Sequence, residues 1–326
     1  MKKFWLGAAF SLTTLSLIWL VGIGRQISVG TPSSRWVFDA YQLKQASAEQ
    51  VSGSRVLIVA GSNALFGIDS KIISEYWQRP TVNLGVNAGL GLPYILYKAK
   101  QIARPKDIIF LPMEYALFLD EGYPNAQIID YALARDPPFL RQLNRVRQFQ
   151  YVISMAPERW VQGLRKPIDS PVVEGTYGAH HLDERGDQTH TSPEEQGDAG
   201  RASVAAAKIW NYGERASKEN GGWKDIQEFA EWGRANAICM VAAPTVLLRQ
   251  DKYSLNLTEK NFFTTLPKKI QSLGIPYIGQ PSDFMYPSNW FFDTDHHLQD
   301  WARIRHTEKL VRLLAKNPLS YCPELL

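Results

Sequence analysis

Cysteine is nearly absent from this chain: Cys239 and Cys322 are the only two in 326 residues. No zinc-finger spacing is present, and there is no P-loop and no glycine-rich dinucleotide fingerprint. No metal or cofactor is therefore expected. Two cysteines can pair in an oxidising compartment, although a lone buried thiol in a core strand is the plainer reading of Cys239. An excess of one charge is also lacking. Thirty-six Lys and Arg stand against 32 Asp and Glu, a net charge of +4, which leaves no footprint for nucleic acid. Histidine is scarce, at six, so any chemistry that needs an imidazole has few residues to draw on. No internal repeat is visible. Aromatics, by contrast, are plentiful. Ten tryptophans suit a carbohydrate-binding or membrane-proximal surface.

The N-terminus carries the one long uncharged run. Met1-Lys2-Lys3 precedes Phe4 to Gly24, and Arg25 ends it. At ~1.5 Å per residue this run spans roughly 30 Å, enough to cross a bilayer. It is long for a signal peptide, and Leu20-Val-Gly-Ile-Gly24 is a poor cleavage site. A retained anchor is expected, with Lys2 and Lys3 holding the short end in the cytoplasm and the body outside.

Beyond a polar spacer, strand and helix patterns alternate. Helices are expected at 35–50, 70–77, 93–103 and 299–315, and strands at 56–60, 81–84, 108–112, 237–243 and 275–278. Alternation of this kind gives βαβ units and a parallel sheet with helices on both faces. Between the third and fourth strands lies a stretch of about Ala116 to Trp223, too long for a bare loop. Phe139 to Ser154 reads as a helix. Arg135, Arg141, Arg145, Arg147, Arg159, Arg165 and Lys166 make this stretch basic. It reads either as a solvated helix face or as a contact for anionic headgroups or a polyanionic substrate. Further on, His180, His181 and His190 with Asp183 and Asp187 match no fixed metal spacing. A mobile loop over the active face is the better reading there.

The residues that carry chemistry sit at the two ends of the sheet pattern. The apolar run Val56 to Ala60 breaks at Gly61-Ser62-Asn63. A serine there lies at the carboxyl edge of a parallel sheet, where open α/β folds bind ligands. It reads as a nucleophile or as a helix cap. Just before the last helix comes Asp293-Thr-Asp295-His296-His297-Leu298. A serine nucleophile needs a base, and the base needs an orienting carboxylate. This pairing resembles the SGNH (GDSL-type) hydrolase superfamily, with its serine after the first strand and its Asp-x-x-His before the last helix. The resemblance covers about two-thirds of the chain. It implies a flavodoxin-like three-layer α/β sandwich with a central parallel sheet, here with the long insertion as a lid. On this reading residues 1–25 are the anchor and 26–326 one SGNH-like domain.

The resemblance also assigns roles. Asp293 and His296 match the family spacing literally, but His297, followed by leucine, is favoured as the base, with Asp293 or Asp295 orienting it. Asn83-Leu-Gly85-Val-Asn87-Ala-Gly89 looks like the family's second block. Gly85, Asn87 and Gly89 are thus the oxyanion candidates, beside the Ser62 amide. The third block departs from the family. Asp107-Ile-Ile-Phe-Leu-Pro-Met-Glu114-Tyr115 lacks the usual Asn, and an ionised Glu114 would repel an oxyanion. Asn63, Asn87 and the Tyr115 hydroxyl are the donors left to compensate.

Two functions follow. The first is an extracytoplasmic serine esterase or O-acyltransferase acting on acyl groups of exopolysaccharide or a cell-envelope polymer. In that respect it resembles proteins that add or remove acyl groups on cell-wall polymers. The second is a non-catalytic binding or assembly protein that keeps the scaffold and recruits a membrane acyltransferase or export machinery.

Overall fold

A computed structural model describes residues 1–164, 175–218 and 221–316. Two compact units emerge, Met1–Phe38 with Tyr123–Glu174, and Asp39–Gly122 with Gly175–Leu326. The long stretch between the third and fourth strands is therefore not one lid. Its first half belongs with the N-terminus and its second half with the sheet.

The first unit opens with α1 (Lys2–Gly24) and the start of α2 (Pro32–Gln50). Among the described residues α1 alone is long and apolar enough to cross a membrane. The sheet unit contains β1 (Val56–Ile58), α3 (Ser62–Gly67), α4 (Ser70–Trp77), β2 (Thr81–Asn83), α5 (Gly91–Ile102) and β3 (Ile108–Leu111). Then α6 (Ala126–Ala134), α7 (Pro137–Gln142), α8 (Arg145–Ile153) and α9 (Pro157–Leu164) complete the first unit. The expected helix over 139–154 is two helices. Asn144 interrupts it, accepting a hydrogen bond from the Arg147 amide and capping α8 as a new start.

The chain returns to the sheet unit with α10 (Pro193–Ala205), α11 (Tyr212–Ala216), α12 (Gly222–Ala235) and β4 (Cys239–Ala242). It ends the described region with β5 (Leu247–Leu248), α13 (Asp251–Leu255), α14 (Leu257–Ser272), β6 (Met285–Tyr286) and α15 (Asp300–Lys316). The result is a mixed α/β unit whose four-stranded sheet runs β2-β1-β3-β4, all parallel. Strands β1 and β3, apolar runs with parallel neighbours on both sides, are buried throughout, and so is the edge strand β2 although it carries Thr81 and Asn83. The expected fifth strand, 275–278, shrinks to one parallel bridge, Ala242 to Tyr277. Pro276 has no amide to donate, and Gly274 and Gly279, both at positive φ, bracket the segment.

Cys239 is held in a disulfide, which corrects the expectation of a lone thiol. Its partner lies outside the described residues, as do Arg165 and Lys166 of the basic stretch.

The core also buries titratable groups. His306 in α15 is enclosed, with Nδ1 3.1 Å from the Tyr286 hydroxyl. Burial, helped by Lys309, pulls its pKa down to about 3. Below an ordinary pKa of ~6.5 the unfolded chain binds a proton that the native state refuses, so stability falls as pH falls. Between about pH 6.5 and about pH 4 this one group is expected to cost on the order of 3 kcal/mol. Urea unfolding at the two pH values, for wild type and His306→Gln, measures it. The variant should show a flatter acid limb, and equal limbs would remove His306 as the cause.

Candidate functional site

The site forms at the carboxyl ends of β1 and β3. After β1 the chain turns at Gly61, the N-cap of α3, and Ser62 is the first helical residue. No side chain caps this helix, so the serine's role is not capping. Glu114, three residues past β3, clasps the turn from behind. Its Oε2 accepts from the Gly61 amide at 2.9 Å and its Oε1 from the Asn63 amide at 3.0 Å. A Cβ on Gly61 would collide with that carboxylate and with Ala88, so the close approach requires glycine. Glu114 therefore occupies the amides on either side of Ser62, a role that its spacing alone did not reveal.

The two Asp–His pairs sit on a tight turn closed by the antiparallel bridge Phe291–Leu298. The Phe292 amide donates to the His297 carbonyl at 2.8 Å. His297 Nδ1 lies 2.7 Å from Asp293 Oδ1. The ring stacks on Phe66 at a centroid separation of 4.0 Å and 8° between planes. Phe66 is one helical turn beyond Ser62 on α3, so this imidazole lies along the face that carries the serine. With Nδ1–H given to the carboxylate, Nε2 is the basic nitrogen. Burial raises the Asp293 pKa, but the hydrogen bond and charge of His297 and the Tyr177 hydroxyl more than reverse this, and the net shift is downward.

Tyr177 completes the pair, donating to Asp293 Oδ2 at 2.6 Å with its oxygen 3.3 Å from His297 Nδ1. Burial and the neighbouring Asp293 charge push the phenol well above its ordinary pKa, so it remains a donor. Nothing in the sequence singled out Tyr177.

His296 makes a separate pair. Its Nδ1 lies 2.9 Å from Asp295 Oδ1, and Asp295 Oδ2 also accepts from Trp210 Nε1 at 3.1 Å. Its Nε2 is buried and has no hydrogen-bond partner among the described residues. Burial lowers the His296 pKa, but Asp295, by charge and hydrogen bond, together with Glu114 outweighs it, and the net shift is upward. Among the described residues, neither imidazole makes a hydrogen bond with the Ser62 hydroxyl.

Gly85 packs against the serine turn, and a Cβ there would lie 2.6 Å from the Gly61 carbonyl. Its amide, however, is given to Asn83 Oδ1 at 3.0 Å, and the Gly89 amide to Asn87 Oδ1 at 2.7 Å. Asn63 faces away, donating to the Pro112 carbonyl and Thr245 Oγ1. The Tyr115 hydroxyl is buried against the Thr245 carbonyl at 3.4 Å. Of the candidates for an oxyanion, the Ser62 amide and Asn87 Nδ2 make no hydrogen bond among the described residues, and Asn87 Oδ1 holds the carboxamide as a cap on Gly89.

The 177–190 segment is pinned rather than loose. The Gln188 amide donates to Leu65, the Asn83 amide to Arg185, and Lys44 Nζ to the Asn83 and Gly186 carbonyls. Asp187 accepts from the Ser70 amide and hydroxyl and from Asn83 Nδ2. This network spends the polar groups that suggested mobility. His180, His181 and His190 lie ring against ring, yet among the described residues no three His, Cys, Asp or Glu side chains converge as metal ligands do.

No protein-family model matches this chain, and no curated protein matches it either.

Proposed function

We propose that the chain is an SGNH-type serine esterase or O-acyltransferase that acts outside the cytoplasm on acyl groups of an exopolysaccharide or cell-envelope polymer. The observation that carries this reading is the Asp293–His297 pair, with Nδ1 2.7 Å from the carboxylate and the ring stacked on Phe66 one turn from Ser62. The parallel order β2-β1-β3-β4, with the Tyr277 bridge beside β4, supports reading the sheet as flavodoxin-like. Ser62 then occupies the ligand edge of such a sheet.

In the proposed reaction Ser62 Oγ attacks the ester carbonyl while His297 Nε2 takes its proton. Asp293, held by Tyr177, stabilises the imidazolium. The Ser62 amide and the Asn87 carboxamide receive the oxyanion. His297 returns the proton to the leaving alkoxide, and the acyl group stays on Ser62. Water then releases it in hydrolysis, or a sugar hydroxyl accepts it in transfer, with His297 again as base. Retention of α1 as an anchor fits the burial of Gly22 and Ile23 at its C-terminal end. A disulfide at Cys239 fits an oxidising compartment.

One observation favours the non-catalytic reading, in which the chain recruits a membrane acyltransferase. The Ser62 hydroxyl bonds neither imidazole, and Glu114 holds the adjoining amides. A fluorophosphonate probe separates the two readings. The purified full chain should be labelled covalently, and Ser62→Ala should not. Absence of labelling in a folded wild type would leave the assembly reading.

A further inference from the structure

The unit that carries α1 presents an apolar face that none of its described residues covers. Helix α8 has no buried residue. Val146, Phe149 and Ile153, spaced i, i+3 and i+7, are 69%, 62% and 59% exposed and lie along one face. Val161 and Leu164 extend exposed apolar surface onto α9. Arg145 and Arg147 flank Val146 on α8, and Arg141 lies near the end of α7. A patch of this kind marks an interaction surface. A polyanionic chain in water would satisfy the arginines and leave Phe149 solvated, whereas a lipid interface satisfies both.

The height of this face is fixed by α1. Trp19 stacks on Trp160 of α9 at 5.6 Å and 2°. Trp160 Nε1 donates to the Trp19 carbonyl, and Trp19 Nε1 to the Val152 carbonyl of α8, each at 3.1 Å. Trp160 covers Gly22 so closely that no Cβ would fit. Trp19 lies five residues before Gly24, roughly 8 Å inside the end of the uncharged run at ~1.5 Å per residue. Elements fastened to Trp19 therefore sit at the membrane boundary when α1 spans the bilayer. At the same level an open cavity of about 460 Å³ is lined by Ile23, Ile27, Leu133, Leu140, Tyr151 and Met155, among others that include Arg141. It offers apolar walls to an acyl chain and a guanidinium to a phosphate.

We propose that α8 and the outer face of α9 lie in the plane of an anionic bilayer as a second membrane contact. Val146, Phe149 and Ile153 enter the acyl region, and Arg141, Arg145 and Arg147 meet the headgroups. The depth assigned to this contact rests on the reading of α1 as a spanning anchor.

The test uses the full chain in vesicles of phosphatidylcholine with phosphatidylglycerol. Cys239 is already in a disulfide, so a cysteine introduced as Phe149→Cys, or independently as Val146→Cys, takes an environment-sensitive fluorophore. Both positions are exposed and tolerate the change. Leu15→Cys reports on α1 separately. Lipids brominated near the headgroup end of the acyl chain should quench the probe at 149, and lipids brominated deeper should quench that at 15. Exchanging phosphatidylglycerol for phosphatidylcholine should reduce quenching at 149, and should no longer do so once the three arginines are replaced by glutamine. An unquenched probe at 149 with a quenched probe at 15 overturns the proposal, leaves the anchor intact and assigns the face to a protein partner. Quenching at 149 alone keeps the interfacial contact and removes the spanning reading. Quenching at neither removes both.

Discussion

Replacing His297 by alanine is expected to lower acyl-ester turnover by about three orders of magnitude, the middle of the range for loss of a positioned general base. His296→Ala should cost less. The ring nitrogens set the difference. His297 Nδ1 is committed to Asp293, which leaves Nε2 as the free base on the face shared with Ser62. His296 Nδ1 is committed to Asp295, and its Nε2 is enclosed with no partner among the described residues. Burst and steady-state kinetics on a chromogenic acyl ester, with each variant's fold checked by circular dichroism, decide the order. A larger loss in His296→Ala would make Asp295–His296 the working pair.

The inner strands are legible because parallel neighbours on both sides demand apolar runs, which 56–60 and 108–112 supply, and the edge strand 81–84 is legible from its Pro80 and Gly85 breaks although Thr81 and Asn83 are polar. The fifth run had the same composition, but Pro276 removes the donor that a ladder needs, and only the Tyr277 bridge remains. Asn144 is polar enough to pass as part of a helix surface, yet its side chain starts a second helix. The site was partly legible for a similar reason. Ser62 and the Asp293–His297 segment stand at recognisable edges of strands and helices. Tyr177 does not, since its partner Asp293 is 116 residues away and the fold alone joins them. Glu114 reads in the sequence only as a charge that would repel an oxyanion. Its two acceptor oxygens answer instead to backbone amides, which every residue carries and no motif marks.

The buried ion pair beneath the sheet should show the largest stability effect. Asp107→Ala is expected to destabilise the sheet unit by about 3–5 kcal/mol, the usual cost of removing one partner from a buried pair. Arg55 and Asp107 are both wholly buried, with Arg55 Nη2 2.6 Å from Asp107 Oδ2. Asp107 also accepts from the Arg55 amide and Nε and from the Arg104 amide. The guanidinium further donates to the Ala48 and Ile102 carbonyls. Without Asp107 those carbonyls remain, but the charge is left uncompensated, and two backbone amides lose their acceptor. Joint replacement by Arg55→Met and Asp107→Leu should cost less, because it removes the stranded charge and leaves only the amides unsatisfied. The pair lies one residue before Val56 and Ile108, which are partners in the β1–β3 register. The same two strands deliver Ser62 and Glu114 at their other ends, so the pair also sets the alignment of the clasp on the serine turn. Urea unfolding measures the first effect, and fluorophosphonate labelling in parallel measures the second. Labelling should fall in step with the folded fraction. A loss of stability below about 1 kcal/mol would place this pair among those that contribute little, and the register would then rest on the apolar ladder alone.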